Sequence, residues 1–218
     1  MILRPEPGAN ATVAGARAMG LDAFSMPLFA VEPVAWDAPD PSEFDALLLT
    51  SANALRHGGS GLEQLLGLPV YAVGQATADA ARGAGFAIAG TGDAGVEALL
   101  SSIPGNARLL HLCGEHRTAT AAAPAVPVYR SLELPPPEDL RGLEGQVVAV
   151  HSPRAGWRLT ELVDQAGIDR TSIRVAAISE AAAKAAGDGW AMCNAAETPD
   201  DPALLALAAR LCDNCVTT

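Results

Sequence analysis

Short apolar runs alternate along this chain with stretches in which apolar residues recur at helical spacing. From Phe44 to Cys113 the pattern predicts strands and helices in turn, and a second alternating series runs from Val147 to Cys212. Such alternation is typical of a parallel sheet, because each parallel strand needs a crossover helix before the next one. The predicted fold class is therefore α/β, with two doubly wound parallel-sheet domains.

The pattern also sets element boundaries. In the first series it predicts a helix from about Asn53 to Leu66, a strand from Phe86 to Ala89 and a helix that begins near Gly95. Near the start of the chain, Ile2 and Leu3 are predicted as a short strand, and Asn10 is predicted to cap a helix that ends at Gly20.

Prolines mark two linkers between the alternating series. Pro33, Pro39 and Pro41 interrupt regular structure on the first side, and Pro135 to Pro137 do so on the second. The first 33 residues hold a single βα unit, which is too little to bury a core, so we expect this segment to complete the C-terminal domain.

The predicted organisation is therefore one discontinuous domain with a second domain inserted into it. The first comprises residues 1–33 and 136–218, and the inserted domain comprises residues 34–135. The two crossings between them, at residues 31–36 and 129–134, are extended and are expected to pair as a two-stranded linker.

Two strand ends carry similar sequences. The segments Phe44–Leu55 (FDALLLTSANAL) and Val147–Gly156 (VVAVHSPRAG) both pass from an apolar strand through polar side chains into a helix. Hydroxyl groups and free N–H groups at a helix N-terminus can bind anions. Ligands of open α/β sheets bind at the carboxyl ends of the strands, so we expect the two domains to hold a ligand in one cleft. The hydroxyls expected to line it, each alone more simply an N-cap, are those of Thr50, Ser51, Thr77, Ser152 and Ser179, with Tyr129 from the second crossing.

Composition excludes some functions. The net charge is −11, and the basic residues are scattered arginines with Lys184 as the only lysine, so nucleic acid is not an expected partner. Apolar runs are far shorter than the roughly 20 residues that span a bilayer, and the N-terminal sequence shows neither a charged leader before an apolar core nor a small-residue cleavage site, so we expect a cytoplasmic protein without a membrane segment.

Cysteines and histidines do not form a recognisable metal or nucleophile motif. Cys113 and Cys193 lie in apolar runs and are expected to be buried, whereas Cys212 and Cys215 form a single CxxC that nothing completes into a zinc set. The four histidines lack metal-ligand spacing, and the acidic segment 199–202 is typical of a solvated helix start.

One glycine-rich segment raises the alternative that the protein binds a nucleotide. Gly90 to Gly95 reads GTGDAG and matches GxGxxG between a predicted strand and a predicted helix. The strand is not the first of its domain and the helix is short, so a glycine-rich βα turn is the simpler interpretation.

In order and spacing, a set of short motifs resembles the uroporphyrinogen-III synthase family over nearly the whole chain. These motifs are Arg4-Pro5, TSANA at residues 50–54, VGQATA at 73–78, VYRS at 128–131, HSPRAG at 151–156 and AISEAAAKA at 177–185. The resemblance implies two flavodoxin-like α/β domains joined by a two-stranded ladder.

The resemblance also implies an activity. Members of the family cyclise the linear tetrapyrrole hydroxymethylbilane to uroporphyrinogen III with inversion of ring D, as cofactor-free lyases of heme biosynthesis. The terminal hydroxyl leaves to form an azafulvene, which reacts at the substituted position of ring D and gives a spiro intermediate that fragments and recloses. The substrate supplies most of the reactivity, so the enzyme acts mainly by orienting it. We expect a monomer with at most transient contact with the preceding enzyme of the pathway.

Site residues follow position by position from the resemblance. Tyr129 matches the tyrosine proposed to assist the leaving hydroxyl. Ser51, Thr77 and Ser152 match hydroxyls that line the cleft. Amides at Asn53 and Gly74, together with Arg4 and Arg154, are candidates for binding the carboxylates of the substrate.

Two departures from the family leave a weaker alternative open. Ala182 stands where a threonine usually opens the second Ala-rich helix, with Ser179 as a possible replacement donor, and the segment between Arg117 and Tyr129 is short. A catalytically weakened homologue that binds an anionic tetrapyrrole without turnover is therefore the second hypothesis.

Overall fold

A computed structural model describes residues 1–92, 95–116 and 123–213. Its strands are β1 (Phe29–Pro33), β2 (Ala46–Leu49), β3 (Val70–Val73), β4 (Ile88–Gly92), β5 (Leu109–Gly114), β6 (Ala125–Glu133), β7 (Val147–Val150), β8 (Arg174–Ala177) and β9 (Met192–Ala195). Its α-helices are α1 (Gly8–Ala18), α2 (Asn53–His57), α3 (Gln75–Gly83), α4 (Val96–Ser101), α5 (Pro153–Gln165), α6 (Glu180–Ala186) and α7 (Asp201–Asp213).

The larger sheet has six strands in the order β1-β6-β5-β2-β3-β4. From β6 to β4 all neighbours are parallel, which confirms the predicted parallel α/β class. The chain places β3 and β4 on one side of β2 and β5 and β6 on the other, so the strand order reverses between β2 and β5. In open α/β sheets, ligands bind at the carboxyl edge beside such a reversal.

The smaller sheet consists of the parallel strands β7, β8 and β9. Ile2 adds an isolated parallel bridge to Ala149 of β7, so the predicted Ile2-Leu3 strand is present only as this bridge and a second one to Ser25. The bridge places Arg4, two residues after Ile2, beside the carboxyl end of β7.

The chain divides into two compact units. One comprises Met1–Ala30 with Glu133–Thr218, and the other comprises Val31–Leu132. Both boundaries fall inside β1 and β6, the two crossing strands, which are neighbours in the larger sheet. Backbone hydrogen bonds from Leu134 to Leu28 and from Val34 to Val128 give this pair an antiparallel order.

Each unit has its own apolar core. In the inserted unit, the four residues of β2 and the apolar residues of β5 are buried, as expected for strands with both faces covered. In the other unit, β7 is buried along its whole length, and α5 covers it with Leu159, Leu162 and Val163. These strands are buried at every position, so they read in the sequence as continuous apolar runs.

Several predicted boundaries are wrong. The helix predicted from Asn53 to Leu66 is α2 followed by a 3-10 helix, Gly59–Leu65, and the break lies at Gly58 and Gly59, where Gly59 has φ +61°. Asn10 is not a cap, because α1 already begins at Gly8 and the Glu6 carboxylate accepts the Asn10 N–H at 3.0 Å.

The first three residues of the glycine-rich segment belong to a strand. Instead of spanning Phe86 to Ala89, β4 runs through Gly90, Thr91 and Gly92. A Cβ at Gly90 would lie 3.0 Å from the Tyr71 ring, and one at Gly92 would lie 2.8 Å from Cβ of Leu99, so packing alone accounts for both glycines. The remainder of GTGDAG includes residues 93 and 94, which lie outside the described residues, as do residues 117–122 of the short segment before Tyr129.

The described part of the chain contains no helix with the length and apolar character needed to cross a membrane. Cys113 is buried as predicted, whereas Cys193 is only partly buried. Cys212 lies in the last turn of α7, and the second cysteine of the CxxC pattern, Cys215, lies outside the described residues.

Candidate active site

Tyr129 lies on β6 at the carboxyl edge of the larger sheet, where its ring packs over Gly114. A Cβ at Gly114 would be 2.7 Å from Cε2, 2.8 Å from Cζ and 3.1 Å from the hydroxyl oxygen of Tyr129. The His57 ring lies on another side, with 6.2 Å between ring centroids and a tilt of 39°. A hydrogen bond joins the phenol to the Ser51 side chain.

The phenol of Tyr129 holds its proton more firmly than an ordinary tyrosine. Its pKa is raised above 10.0 because burial disfavours the phenolate, and this effect outweighs the opposing hydrogen bond from Ser51. Burial and the charge of Arg56 lower the pKa of His57, so its imidazole is neutral at neutral pH. The arrangement offers a protonated phenol without a neighbouring cationic imidazole.

Thr50 and Ser51 follow β2 directly, and both hydroxyls have partners within the protein. Oγ1 of Thr50 lies 3.1 Å from Nε2 of the buried His111 on β5. Oγ of Ser51 accepts the backbone N–H of Asn53 at 3.2 Å. These bonds fix both side chains at the strand end before any ligand is considered.

The amides predicted to bind carboxylates are already engaged. The N–H of Gly74 donates to the Gly92 carbonyl at 2.8 Å, and the N–H of Asn53 donates to Ser51. The side-chain oxygen of Asn53 accepts from Arg56 at 3.1 Å. Thr77 is 5% exposed, which leaves its hydroxyl little access to a ligand. The first N–H groups of α3, at Gln75 and Ala76, precede its first intrahelical bonds.

In the other unit, Ser152 and Ser179 are N-caps. Oγ of Ser152 accepts the N–H of Ala155 at 3.1 Å at the start of α5, and Oγ of Ser179 accepts the N–H of Ala182 at 3.3 Å at the start of α6. A capping serine retains its own O–H, so each can still donate to a carboxylate. Ala182 is fully buried, so a hydroxyl at this position would not face a ligand.

Arg4 has an internal partner that was not predicted. Its Nη1 donates to both carboxylate oxygens of Asp201, at 3.0 and 3.1 Å, and Thr12 donates to the same carboxylate at 2.5 Å. A Cβ at Gly8 would lie within 2.6 Å of the guanidinium, so the glycine leaves space for it. Asp201 is therefore part of a polar cluster and not only a solvated helix start.

His151 completes this cluster at the end of β7. Its side chain is 6% exposed, and Nε2 lies 3.5 Å from Oδ1 of Asp201. Burial alone would raise the pKa of Asp201, but interactions with His151, Thr12 and Arg4 lower it from 3.8 to about 2. The positive charge of Arg4 is thus largely matched by Asp201, which reduces its capacity to bind a further carboxylate.

Arg154 lies in the first turn of α5. Its guanidinium packs over the Phe29 ring, 4.5 Å from the centroid, and Nη2 lies 3.6 Å from a Glu133 carboxylate oxygen. Glu133 also lies 3.7 Å from Arg158, so one carboxylate faces two guanidinium groups. With 32% of its side chain exposed, Arg154 retains a surface for an anion.

The structure thus brings together Ser51, Asn53 and Tyr129 in the inserted unit and places Thr50 beside them. Gly114 and His57 also belong to this group but were not singled out from the sequence, because a glycine at a strand end and a histidine in a helix give no distinctive signal. Asp201 and Thr12 were missed in the other unit, since their contacts with Arg4 link residues far apart in the chain. Among the described residues, no group of three or more His, Cys, Asp or Glu side chains could hold a metal ion.

A comparison with protein families identifies the family of this chain. A sequence model described as uroporphyrinogen-III synthase HemD matches residues 10–206. A search of curated proteins found no match. Among solved structures, the chain is similar to uroporphyrinogen-III synthetase from Helicobacter pylori, with 16% identity, a TM-score of 0.65 and coverage of 87% of this chain and 93% of that chain.

A second similar structure is a mutant uroporphyrinogen III synthase from the extremely thermophilic bacterium Thermus thermophilus. It shares 19% identity, has a TM-score of 0.57, and the match covers 98% of this chain and 99% of that chain. At these identities, both structures support the fold.

Proposed function

Because this chain belongs to the uroporphyrinogen-III synthase family, we propose that it is a lyase that converts hydroxymethylbilane into uroporphyrinogen III with inversion of ring D. The family match covers residues 10–206, which includes all of the unit Val31–Leu132 and most of the other unit. The proposal places the protein in tetrapyrrole and heme biosynthesis.

The observation that carries the proposal is the position of the Tyr129 phenol over Gly114, at the carboxyl edge of the larger sheet. The reaction begins with departure of a hydroxyl group, which leaves more readily as water than as hydroxide. A donor must therefore hold its proton at working pH and lie where a ligand can reach it. Tyr129 meets the first requirement because burial raises its pKa, and it meets the second because its side chain is only partly buried.

In the proposed mechanism, the phenol O–H of Tyr129 donates to the departing hydroxyl, which leaves as water. The substrate becomes a cationic azafulvene, the substituted carbon of ring D attacks its electrophilic carbon, and the spiro intermediate fragments and recloses in the inverted order. The proton that the substrate releases as its rings regain aromaticity restores the phenol. Most of the rate enhancement then comes from holding one conformation of a flexible chain.

Binding is assigned mainly to neutral donors. We propose that hydroxyls of Thr50, Ser152 and Ser179, the first N–H groups of α3 and the guanidinium of Arg154 receive the carboxylates. Four further residues are given supporting roles. The Thr77 side chain is buried, and the N–H groups of Asn53 and Gly74 and the guanidinium of Arg4 already bind partners within the protein. Few unpaired cations are expected in such a site, which fits a chain of net charge −11.

The second candidate is a homologue that binds an anionic tetrapyrrole without turnover. The observation in its favour is that Arg4 is matched by Asp201, and that the Gly74 and Asn53 N–H groups have internal acceptors. Fewer donors than expected then remain for the substrate. Tight binding of uroporphyrinogen III, measured by protein fluorescence quenching, with no control of the isomer formed would favour this candidate.

The test is to supply hydroxymethylbilane to the purified protein and separate the products by isomer. Hydroxymethylbilane alone cyclises to the type I isomer, whereas the proposed activity gives type III. Product of type I only, at every protein concentration, would refute the synthase proposal.

A further inference from the structure

Three adjacent parallel strands bring Ser51, Gly114 and Tyr129 to the same level. Leu49 of β2 pairs with Leu112 of β5, and Gly114 of β5 pairs with Tyr129 of β6. Ser51 is two residues beyond Leu49, and Gly114 is two residues beyond Leu112. The register therefore places the serine and the tyrosine on either side of the glycine.

Gly114 allows the tyrosine to cross the middle strand. A Cβ at Gly114 would lie 2.7 to 3.1 Å from the outer ring atoms and the hydroxyl oxygen of Tyr129, so this end of the side chain lies over Gly114. It is thereby directed toward the end of β2, where the phenol and the Ser51 side chain are hydrogen-bonded.

The backbone decides how Ser51 uses its hydroxyl. A serine hydroxyl has one proton to donate and two lone pairs that accept. The N–H of Asn53, fixed at the start of α2, occupies one lone pair at 3.2 Å. The serine proton is then directed away from Asn53, and the Tyr129 oxygen is the acceptor that the register places beside it.

We propose that Ser51 is a positioning residue that donates its hydroxyl proton to the phenol oxygen of Tyr129. The phenol then does not donate its own proton to Ser51, and this proton is available to the ligand. The inference rests on the proposed function of Tyr129 and gives Ser51 a role beyond contact with the substrate. It also explains why Ser51, at the end of a strand, is hydrogen-bonded both to a backbone N–H and to a phenol.

A double-mutant cycle tests this role. Ser51→Ala is expected to lower kcat about fivefold or more with little change in KM, and Ser51→Thr, which keeps the hydroxyl, is expected to restore most of the rate. In a Tyr129→Phe background, Ser51→Ala should cause no further loss. Ser101→Ala, which removes an exposed hydroxyl bonded only to the Glu97 carbonyl in α4, is the control.

Two kinetic outcomes would overturn the inference. An equal effect of Ser51→Ala with the tyrosine present and in the Tyr129→Phe background would show that Ser51 acts independently of the tyrosine. A rise in KM with unchanged kcat would show that Ser51 only contacts substrate. Thermal unfolding of each variant separates these effects from loss of structure.

A titration that needs no activity tests the contact itself. The chain has two tyrosines, so Tyr71→Phe leaves Tyr129 as the only phenol whose ionisation is seen by ultraviolet absorbance. Ser51 lowers the pKa of Tyr129 in the present arrangement, so Ser51→Ala in this background should raise it. An unchanged midpoint would refute the contact, whether or not the protein is a synthase.

Discussion

The ring of Tyr129 rests over Gly114 so closely that a Cβ on the glycine would lie 2.7 Å from the ring. Real Cβ atoms are not found at such distances from their neighbours. The position of the phenol therefore depends on the absence of a side chain one strand away, in addition to the backbone of β6. The absence of a side chain at Gly114 thus determines where the phenol, the candidate general acid, lies.

Gly114→Ala is the most specific test of this geometry. The added methyl group must displace the Tyr129 ring, so we expect turnover to fall by roughly tenfold or more while the sheet stays folded, because misplacing a reacting group by about 1 Å can cost on the order of a hundredfold. Steady-state kinetics and circular dichroism measure the two effects. Gly105→Ala is the control, since nothing lies within 4 Å of its Cβ position. Equal activity of both variants would show that the position of the ring is irrelevant.

Tyr129→Phe removes the proton and keeps the ring. General acid catalysis contributes roughly a hundredfold or more, so kcat is expected to fall severalfold at least while the unfolding temperature changes little. The matched control is Tyr71→Phe, which removes a phenol at a position on β3 that the mechanism does not use. A wild-type rate in Tyr129→Phe would remove this residue from the mechanism.

The raised pKa of Tyr129 predicts the alkaline limb of the activity profile. Only the protonated phenol can donate, so activity should persist as pH rises and decline only above the ordinary tyrosine pKa of 10.0. Initial rates at saturating substrate across the alkaline range, corrected for spontaneous cyclisation, measure this limb. A decline centred near neutral pH would assign the essential proton to another group.

Much of the fold could be predicted because its central strands are buried at every position. Ala46–Leu49 and Val147–Val150 are continuous apolar runs for that reason, and both strands were predicted at these positions. The break at Gly58 and Gly59 was missed because the helical spacing of the apolar residues Ala54, Leu62 and Leu65 continues across both glycines. Gly61 there packs against Trp36, with 2.7 Å from its Cβ position to the ring, a contact that periodicity does not contain.

The site was predictable only in part, for a related physical reason. Hydroxyls after an apolar run mark the end of a strand, so the positions of Thr50, Ser51 and Ser152 follow from the sequence. Their hydrogen-bond partners do not, since these depend on register and on contacts across the chain. Arg4 and Asp201 are 197 residues apart, and local patterns cannot pair them.

Asp201→Asn tests the polar cluster that joins the N-terminal segment, β7 and α7. Its pKa is lowered to about 2, so the stability it contributes is present above its ordinary pKa of 3.8 and is lost as pH falls through about 2. The variant should be less stable at neutral pH by roughly 1–3 kcal/mol, with the difference shrinking below about pH 4. Denaturant unfolding at several pH values measures it, with the exposed Asp188→Asn as the control. A pH-independent difference would contradict the linkage.

Ala182→Thr tests whether the missing family threonine weakens this protein. Ala182 is fully buried, and its helix packs tightly on α5, where a Cβ at Gly156 would lie 2.7 Å from the Ala182 carbonyl oxygen. We expect the larger side chain to destabilise the fold by about 1–3 kcal/mol and not to increase turnover. Ala181→Thr, at the neighbouring exposed position, should be nearly neutral. A gain in activity without loss of stability would favour the weakened-homologue hypothesis.

The most direct measurement is the isomer composition of the uroporphyrinogen formed from hydroxymethylbilane by catalytic amounts of the purified protein, with heat-denatured protein as the blank. We expect the type III fraction to rise with protein concentration toward complete conversion and to fall sharply in Tyr129→Phe at equal concentration. Type I product alone, in amounts equal to those of the blank, would show that the protein is not a synthase.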